Sequence, residues 1–526
     1  MVDQKLITAA IWIAALIIVP LAITHALEGD PPPLLIISGL CFISFVFFVL
    51  KDGSCALPLI GGFVIGKLNF LPFGLSALIV FTLGLIFYYF FAYFTLKQKG
   101  LSTGPSYLFL PILVITTIVL YHNRHVGLHA FGSSSEGSRP GLLMLLAALG
   151  YFCGVSLSHP SARFLSYLPL ICTFLSLVTS LPNLLSTFFP SLSPYLYYLT
   201  DNINLDVYFE ANGIDTDTRY GALATIGMVL EVFLVSYYPI HTWLRPQRWW
   251  VPIMLLLSLG LIVLGGYRSN VAMFVVVLTL ATWCYYSWRA LIIFPIILLS
   301  AFLLSLCVQN KIVDLSATAQ RSLSFLPGTW DPVAVDSANS SNDFRKNIWN
   351  VYMREELHKS PWIGNGFAFD SEEYIRLMNL SKTSETSDHY YVSKGFITAK
   401  MFHNGWLSLY DTVGLIGSVA FFFLIICMIG MTGHFVLQQS NHYSLLFPLK
   451  VWFFCSIVRD VLAYFLIFGD FGSTFPSLCA YAIILIQLQR MERSESQKTA
   501  VPILQQRENT RKPGSIVPQP SFLRPG

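Results

Sequence analysis

Apolar runs of 17 or more residues recur from Leu6 to Leu488, separated mostly by short polar connections. A helix of about 20 apolar residues crosses the roughly 30 Å hydrocarbon core of a bilayer, so the pattern predicts membrane-spanning helices. Candidate spans fall at 6–26, 34–50, 54–68, 75–96, 105–121, 141–158, 164–182, 219–240, 250–266, 271–287, 291–308, 406–432, 445–467 and 475–489. The 54–68 segment is the weakest of these. Gly61, Gly62, Gly66 and Lys67 make it a candidate re-entrant segment, which would alter the parity of everything upstream. The fold class expected is an all-α polytopic membrane protein of 12–14 transmembrane helices with one large loop containing short helices. Its divisions would be a membrane region at 1–308, a loop at 309–405, a second membrane region at 406–489, and a basic tail at 490–526 expected to be disordered.

Within the large loop, Ser341-Asn342-Asp343 offers a helix N-cap, and Phe344 to Lys359 reads as one helix stopped by Ser360-Pro361. Phe344, Ile348, Tyr352 and Leu357 lie near one face of it, and Arg345 and Trp349 form an i,i+4 pair on another. Gly364-Asn365-Gly366 follows as a turn that needs permissive backbone angles. Asp370 is placed to cap a second short helix through Leu380. A structured loop of this size suggests a lid or half of an active site.

Composition sharpens the class. Charged residues make up only 11% of the 526, hydrophobic residues 55%, and the mean hydropathy is +0.63. Too few polar side chains remain to cover a water-exposed surface, since soluble proteins carry about 25% charge. A soluble enzyme, a secreted disulfide scaffold and a nucleic-acid binder are thereby excluded. The 94-residue stretch Gln309–Phe402 holds 21 of the charged residues, and the tail from Arg490 holds seven basic and three acidic ones. All nine cysteines lie in or beside apolar runs, so the loop has neither a disulfide framework nor a cysteine metal site.

Lys and Arg near span ends favour the cytoplasmic side. With the N-terminus inside, Lys51, Lys97, Lys99, Arg163, Arg245, Arg248, Arg289 and the basic tail fall inside. Glu28 and Asp30, the 183–218 segment and the large loop then fall outside, with Arg124 and Arg139 running against the rule.

That arrangement puts several functional side chains on one face. His403 stands just before a long span, where it is able to act as a proton acceptor, and where His403 and Asn404 are equally able to serve only as a helix cap. Arg268, in the short turn Gly265–Asn270, suits either phosphate recognition or snorkelling at the interface. Arg219, Arg345 and Arg321 join it on the same side. Four arginines and a histidine on one face suit a negatively charged, lipid-attached substrate such as a diphosphate. Arg459-Asp460 lies inside a span, where a structural ion pair is favoured over a catalytic role. Walker, G-x-G-x-x-G and zinc-helix patterns are absent. His122, His125 and His129 cluster on a loop, where interfacial histidines are commoner than metal ligands.

The ordered motifs Arg268, Arg345 with Trp349, Pro361-Trp362-Ile363-Gly364-Asn365-Gly366-Phe367, His403-Asn404-Gly405 and Gly414-Leu415-Ile416-Gly417 closely resemble the O-antigen ligase/polymerase superfamily of bacterial membrane glycosyltransferases. The resemblance covers 219–432, and the turn reads Tyr267-Arg268-Ser269 where the family has Ser-Arg-Gly. It implies transfer of a glycan from undecaprenyl diphosphate to a glycan or glycolipid acceptor, with inversion and without metal or other cofactor. It further implies a multi-pass protein of the bacterial inner membrane, with its active site on the periplasmic or outer face.

The carry-over makes His403 the base and puts diphosphate contacts on Arg219, Arg268 and Arg345, with Asn404, Trp349, Arg321 and Arg459 in support. Ligation to lipid A-core or another terminal acceptor, repeat-unit polymerisation and protein O-glycosylation share this chemistry. A lipid-linked glycan transporter or flippase is the alternative from another class, and it would place its key charges near mid-membrane.

Overall fold

The computed structural model describes residues 53–65, 76–96, 104–123, 138–157, 160–197, 220–243, 245–286, 315–326, 328–367, 370–383, 388–437, 445–467 and 469–510, with positions 200, 201, 203 and 300. These residues form helices and no sheet. In chain order the helices are α1 (Leu57–Gly62), α2 (Ala77–Leu96), α3 (Ser106–Asn123), α4 (Ser138–Ser156), α5 (Ala162–Phe188), α6 (Ser193–Tyr197), α7 (Gly221–Tyr237) and α8 (Trp250–Leu264). They continue with α9 (Arg268–Tyr286), α10 (Ala317–Leu323), α11 (Pro332–Glu355), α12 (Ser371–Thr383), α13 (Asp388–Thr398), α14 (Gly405–Leu437), α15 (Phe447–Leu466) and α16 (Phe471–Thr510).

Seven stretches among the described residues are long and apolar enough to cross a membrane: Ala77–Phe94, Ser106–Asn123, Ala162–Phe188, Pro246–Leu264, Arg268–Tyr286, Gly405–Leu437 and Phe471–Arg493. Pro140–Ser156 and Gly221–Tyr237 are shorter apolar helices. Helix α15 is 20 residues long, enough for about 30 Å at 1.5 Å per residue, although it carries Lys450, Arg459 and Asp460. The protein is an all-α, multi-pass membrane protein. Expected spans 6–26 and 34–50, and all of 291–308 except position 300, lie outside the described residues.

Two expectations change at the ends of the described chain. The 54–68 segment does not form a spanning helix. It makes a 3₁₀ turn at Ser54–Ala56 and the six-residue α1, with Cys55, Ala56, Leu57, Leu59 and Ile60 at most 2% exposed. Its end is satisfied by α5, where Ser176 Oγ donates to Phe63 O at 2.8 Å and Thr179 Oγ1 accepts from Ile65 N at 3.1 Å. Irregular backbone among apolar helices needs such protein partners. Placing the N-terminus inside assumed a crossing here and loses that support. At the other end, α16 continues to Thr510, into the tail expected to be disordered, while 511–526 lie outside the described residues.

The membrane helices pack as neighbours α7 on α8 and α5, α14 on α3 and α15, and α16 on α4. Beside them, α11 packs on α13 and α10, and α12 packs on α13. These loop helices share a small core of Ile348, Tyr352, Ile397 and Phe402, with Phe344, Trp349 and Phe396 against it. Helix α11 begins earlier than the pattern suggested. Asp331 caps it, accepting from Val333 N at 2.9 Å, with Pro332 in the first turn, so Ser341-Asn342-Asp343 lies inside the helix. Asp370 caps α12 as expected, Oδ1 accepting from Glu372 N and Glu373 N at 3.1 and 2.9 Å.

Candidate active site at the large loop

Helix α14 is interrupted at Gly414, whose φ of 65° and ψ of −166° are not helical. The interruption frees backbone groups, and the turn at 361–366 takes them up. Asn365 N donates to Asp411 O at 2.5 Å and Gly366 N to Thr412 O at 3.1 Å. In return, Leu415 N donates to Pro361 O at 2.8 Å and Ile416 N to Trp362 O at 3.0 Å. Four groups that a break would leave unmet are thus paired with another piece of backbone. Gly364 and Gly366 sit at φ 74° and 71°, where a side chain is disfavoured. His122, at the end of α3, holds the turn from the other side, with Nε2 2.9 Å from Ile363 O.

One helical turn before the break, Asp411 is 2% exposed and joins four segments. Its carboxylate accepts from Asn365 Nδ2 at 2.8 Å, from Tyr352 OH of α11 at 3.3 Å and from Lys400 Nζ at 2.6 Å. Burial, with the Asp411 carboxylate beside it, holds the Tyr352 phenol well above the usual value, so it stays a donor.

Lys400 and His403 both have left-handed backbone, with φ 60° and 49°. Asn404 caps α14, Oδ1 accepting from Trp406 N at 2.8 Å and Leu407 N at 3.4 Å. Capping therefore falls to Asn404. The His403 ring lies against Phe344 of α11 and Phe396 of α13, with centroids 5.9 and 5.7 Å away.

The arginines meet α11 just before Phe344. Arg268, the first residue of α9, donates through Nη2 to Ala338 O at 2.8 Å and lies 3.4 Å from Asn342 Oδ1. Arg321, on α10 and 6% exposed, donates through Nη2 to Ser341 Oγ at 2.9 Å. The short turn before α9 is tight. Gly266 has φ 82°, and a β-carbon there would come 2.6 Å from Thr318 Cγ2. Arg345 follows Phe344 directly, and Trp349 lies one turn on, with its Nε1 buried and without a hydrogen-bond partner among the described residues.

The structure therefore brings Arg268, Arg321, Arg345, Trp349, His403 and Asn404 to one length of α11 and its neighbours. Arg459 is not among them. It pairs within α15, Nε and Nη2 lying 3.0 and 2.7 Å from Asp460 Oδ1, while Tyr481 OH donates to Asp460 Oδ2 at 3.0 Å. Arg219 lies outside the described residues.

The sequence pattern did not single out Lys400, Tyr352 or Asp411 as site residues. An acidic residue inside an apolar span was the available signal for Asp411. The same signal marks Glu231 in α7, fully buried, with both carboxylate oxygens lacking a hydrogen-bond partner among the described residues. No group of three metal-ligating side chains occurs among the described residues.

Fold and site together define a multi-pass helical membrane protein with a cationic, histidine-bearing centre built where a large loop enters a broken span. A family model described as O-antigen ligase matches residues 253–422 and places that segment in the O-antigen ligase/polymerase superfamily. The match runs from α8 into α14 and takes in Arg268, Arg321, Arg345, His403 and Gly414; Arg219 and Arg459 fall outside it. The family implies a lipid-linked glycan and an acceptor as substrates in general terms. No curated protein matches the chain.

Proposed function

We propose that the protein is an O-antigen ligase-like glycosyltransferase of the bacterial inner membrane. It moves a glycan from undecaprenyl diphosphate to an acceptor sugar hydroxyl, on lipid A-core or another terminal acceptor, at the periplasmic face. The observation that carries this reading is the convergence on α11. Arg268 and Arg321 bond residues 338–341, and the next turn bears Phe344 against His403.

In this mechanism His403 accepts the proton of the acceptor hydroxyl as its oxygen attacks the anomeric carbon. The bond from that carbon to the diphosphate oxygen breaks, and the electron pair leaves with undecaprenyl diphosphate. Attack opposite the leaving group inverts the anomeric centre. Arg219, Arg268 and Arg345 meet the negative charge developing on the diphosphate, with Arg321 behind them. Fixed cations in a site partly closed to water stabilise such charge without reorganising. Each step is supplied by the chain's own side chains, so the reading needs no metal.

The test uses purified protein in nanodiscs with undecaprenyl-diphosphate glycan and lipid A-core. His403→Ala should lose on the order of 10²–10⁴ in turnover while still binding the donor. Activity should rise with pH, because only neutral imidazole accepts a proton. Chelators should leave it unchanged. Near-normal turnover by His403→Ala would reject the base, and loss with EDTA reversed by a divalent ion would reject the metal-free chemistry.

A further inference from the structure

The link between α13 and α14 carries a side chain where geometry favours none. Helix α13 ends in a Schellman arrangement, in which Lys400 N donates to Ile397 O at 2.9 Å and Met401 N to Phe396 O at 2.8 Å. The left-handed residue of this motif is normally glycine, because a β-carbon disfavours that conformation. Here it is Lys400, at φ 60°. Three residues on, His403 adopts a second left-handed conformation at φ 49°. Non-glycine residues persist in such conformations only where their surroundings hold them.

What holds this link is visible. The Lys400 ammonium reaches Asp411 at 2.6 Å, and that carboxylate is itself fixed by Tyr352 of α11 and Asn365 of the inserted turn. Between the two ends of this tie stand His403 and the Asn404 cap.

We propose that Lys400 and Asp411 form a positioning pair. Their ion pair sets the 400–404 link so that the His403 ring stands between Phe344 and Phe396, in register with the arginines that meet α11. This rests on the reading of His403 as the base and assigns these two residues a role that acts through it. Neither is asked to touch substrate.

Lys400→Gly is the informative change. Glycine relieves the backbone at φ 60° and removes the side chain together with its ammonium, so a role confined to turn formation predicts unchanged or improved function. The positioning role predicts a fall in kcat of about 10- to 100-fold, the scale of an ångström-level misplacement of a reacting group, with KM for the lipid-linked donor unchanged. Because Lys400→Gly leaves a buried carboxylate without its counter-ion, the double variant Lys400→Gly/Asp411→Asn is measured beside it, each normalised to folded protein.

The kcat loss should persist in the double variant and vanish in a His403→Ala background, where nothing remains to be positioned. Full kcat in Lys400→Gly, recovery in the double variant, or an equal loss with and without His403 would each overturn the pair. These outcomes are separate from failure of the base itself. That failure shows as activity in His403→Ala alone, whereas a normal Lys400→Gly beside an inactive His403→Ala rejects positioning and leaves the base standing.

Discussion

Gly414 and Gly364 face each other backbone to backbone. A β-carbon on Gly364 would lie 2.6 Å from Gly414 N, and one on Gly414 would overlap the amide nitrogens of Gly364 and Ile363. Neither position has room for a methyl group, and the atoms in the way are main chain, which cannot swing aside. Gly414→Ala and Gly364→Ala should each cost more than about 4 kcal/mol or prevent recovery of folded protein. Gly430, on the same helix with nothing within 4 Å of its β-carbon position, is the control. Gly430→Ala should be neutral or stabilising by up to about 1 kcal/mol. Thermal unfolding in detergent compares them, and equal behaviour of the three would contradict the close approach.

The arginines are expected to differ from lysine in kind. Arg268 reaches Ala338 O and Asn342 through one nitrogen, and a planar guanidinium fork suits the paired oxygens of a diphosphate. Arg268→Ala and Arg345→Ala should lower kcat/KM by at least about 10-fold, the scale of a lost charge-assisted bond, with membrane insertion intact. Arg268→Lys should recover only part, since an ammonium lacks the planar fork. Full activity of both alanine variants at native expression would end the diphosphate-clamp idea.

Sidedness is open to direct measurement. Lys346, 66% exposed on α11, and Gln247, exposed between α7 and α8, lie on opposite faces in the proposed orientation. The seven described native cysteines are free, and all but half-buried Cys427 are buried; the parent chain, labelled alongside, sets the background. A cysteine replacing Lys346 should react with an impermeant reagent on intact cells, and one replacing Gln247 only after permeabilisation. The reverse pattern would put the site on the cytoplasmic face.

Acid should loosen the loop helices at one clasp. Glu355 of α11 accepts from Lys394 Nζ at 2.8 Å and Tyr390 OH at 2.7 Å, both on α13. The Lys394 hydrogen bond, with that from Tyr390, holds the Glu355 carboxyl below its usual value, and the same carboxylate raises Lys394. A depressed carboxyl contributes stability above its unfolded value, about 4.3, and loses it as pH falls through the lower folded value. A raised lysine contributes below its unfolded value of about 10.4, so the clasp is complete between these limits. Amide protection in α11 and α13, taken as the intrinsic exchange rate at each pH over the observed rate, should therefore fall between about pH 5 and pH 3 in the wild type more than in Glu355→Gln, limits set by carboxylate titration. An identical acid response in both would remove the clasp.

The seven spans found among the described residues were legible because apolar runs of membrane length have few alternatives, and α12 was legible from Asp370. The start of α11 was not. Residues 332–343 are rich in Ser, Asn and Asp, which favour turns and caps over helix interiors. Tertiary contact decides the matter there, since Ala334 and Ala338 are buried and Arg268 bonds Ala338 O.

The same contact explains why the site was only half readable. Arg268, Arg321, Arg345 and His403 could be picked out as residue types. What gathers them is a helix reaching back past its apparent cap. Likewise Lys400 and Asp411 are separated by 11 positions with a link and a helix start between them, so no periodicity joins them. Arg459, legible as an ion in a span, found its partner in the adjacent Asp460.

The interrupted α14 also fixes what can be exchanged between proteins built on this plan. Its missing hydrogen bonds are completed by residues 361–366, some 50 positions earlier in the chain. Loop and span are thus two halves of one construction, and neither half carries its own specification. A transplant that exchanges the loop for a relative's needs the segments around 361–366 and 411–416 drawn from a single parent. Cutting the chain between them, at the boundary that hydropathy suggests, would leave a donor segment and a recipient segment that no longer interlock.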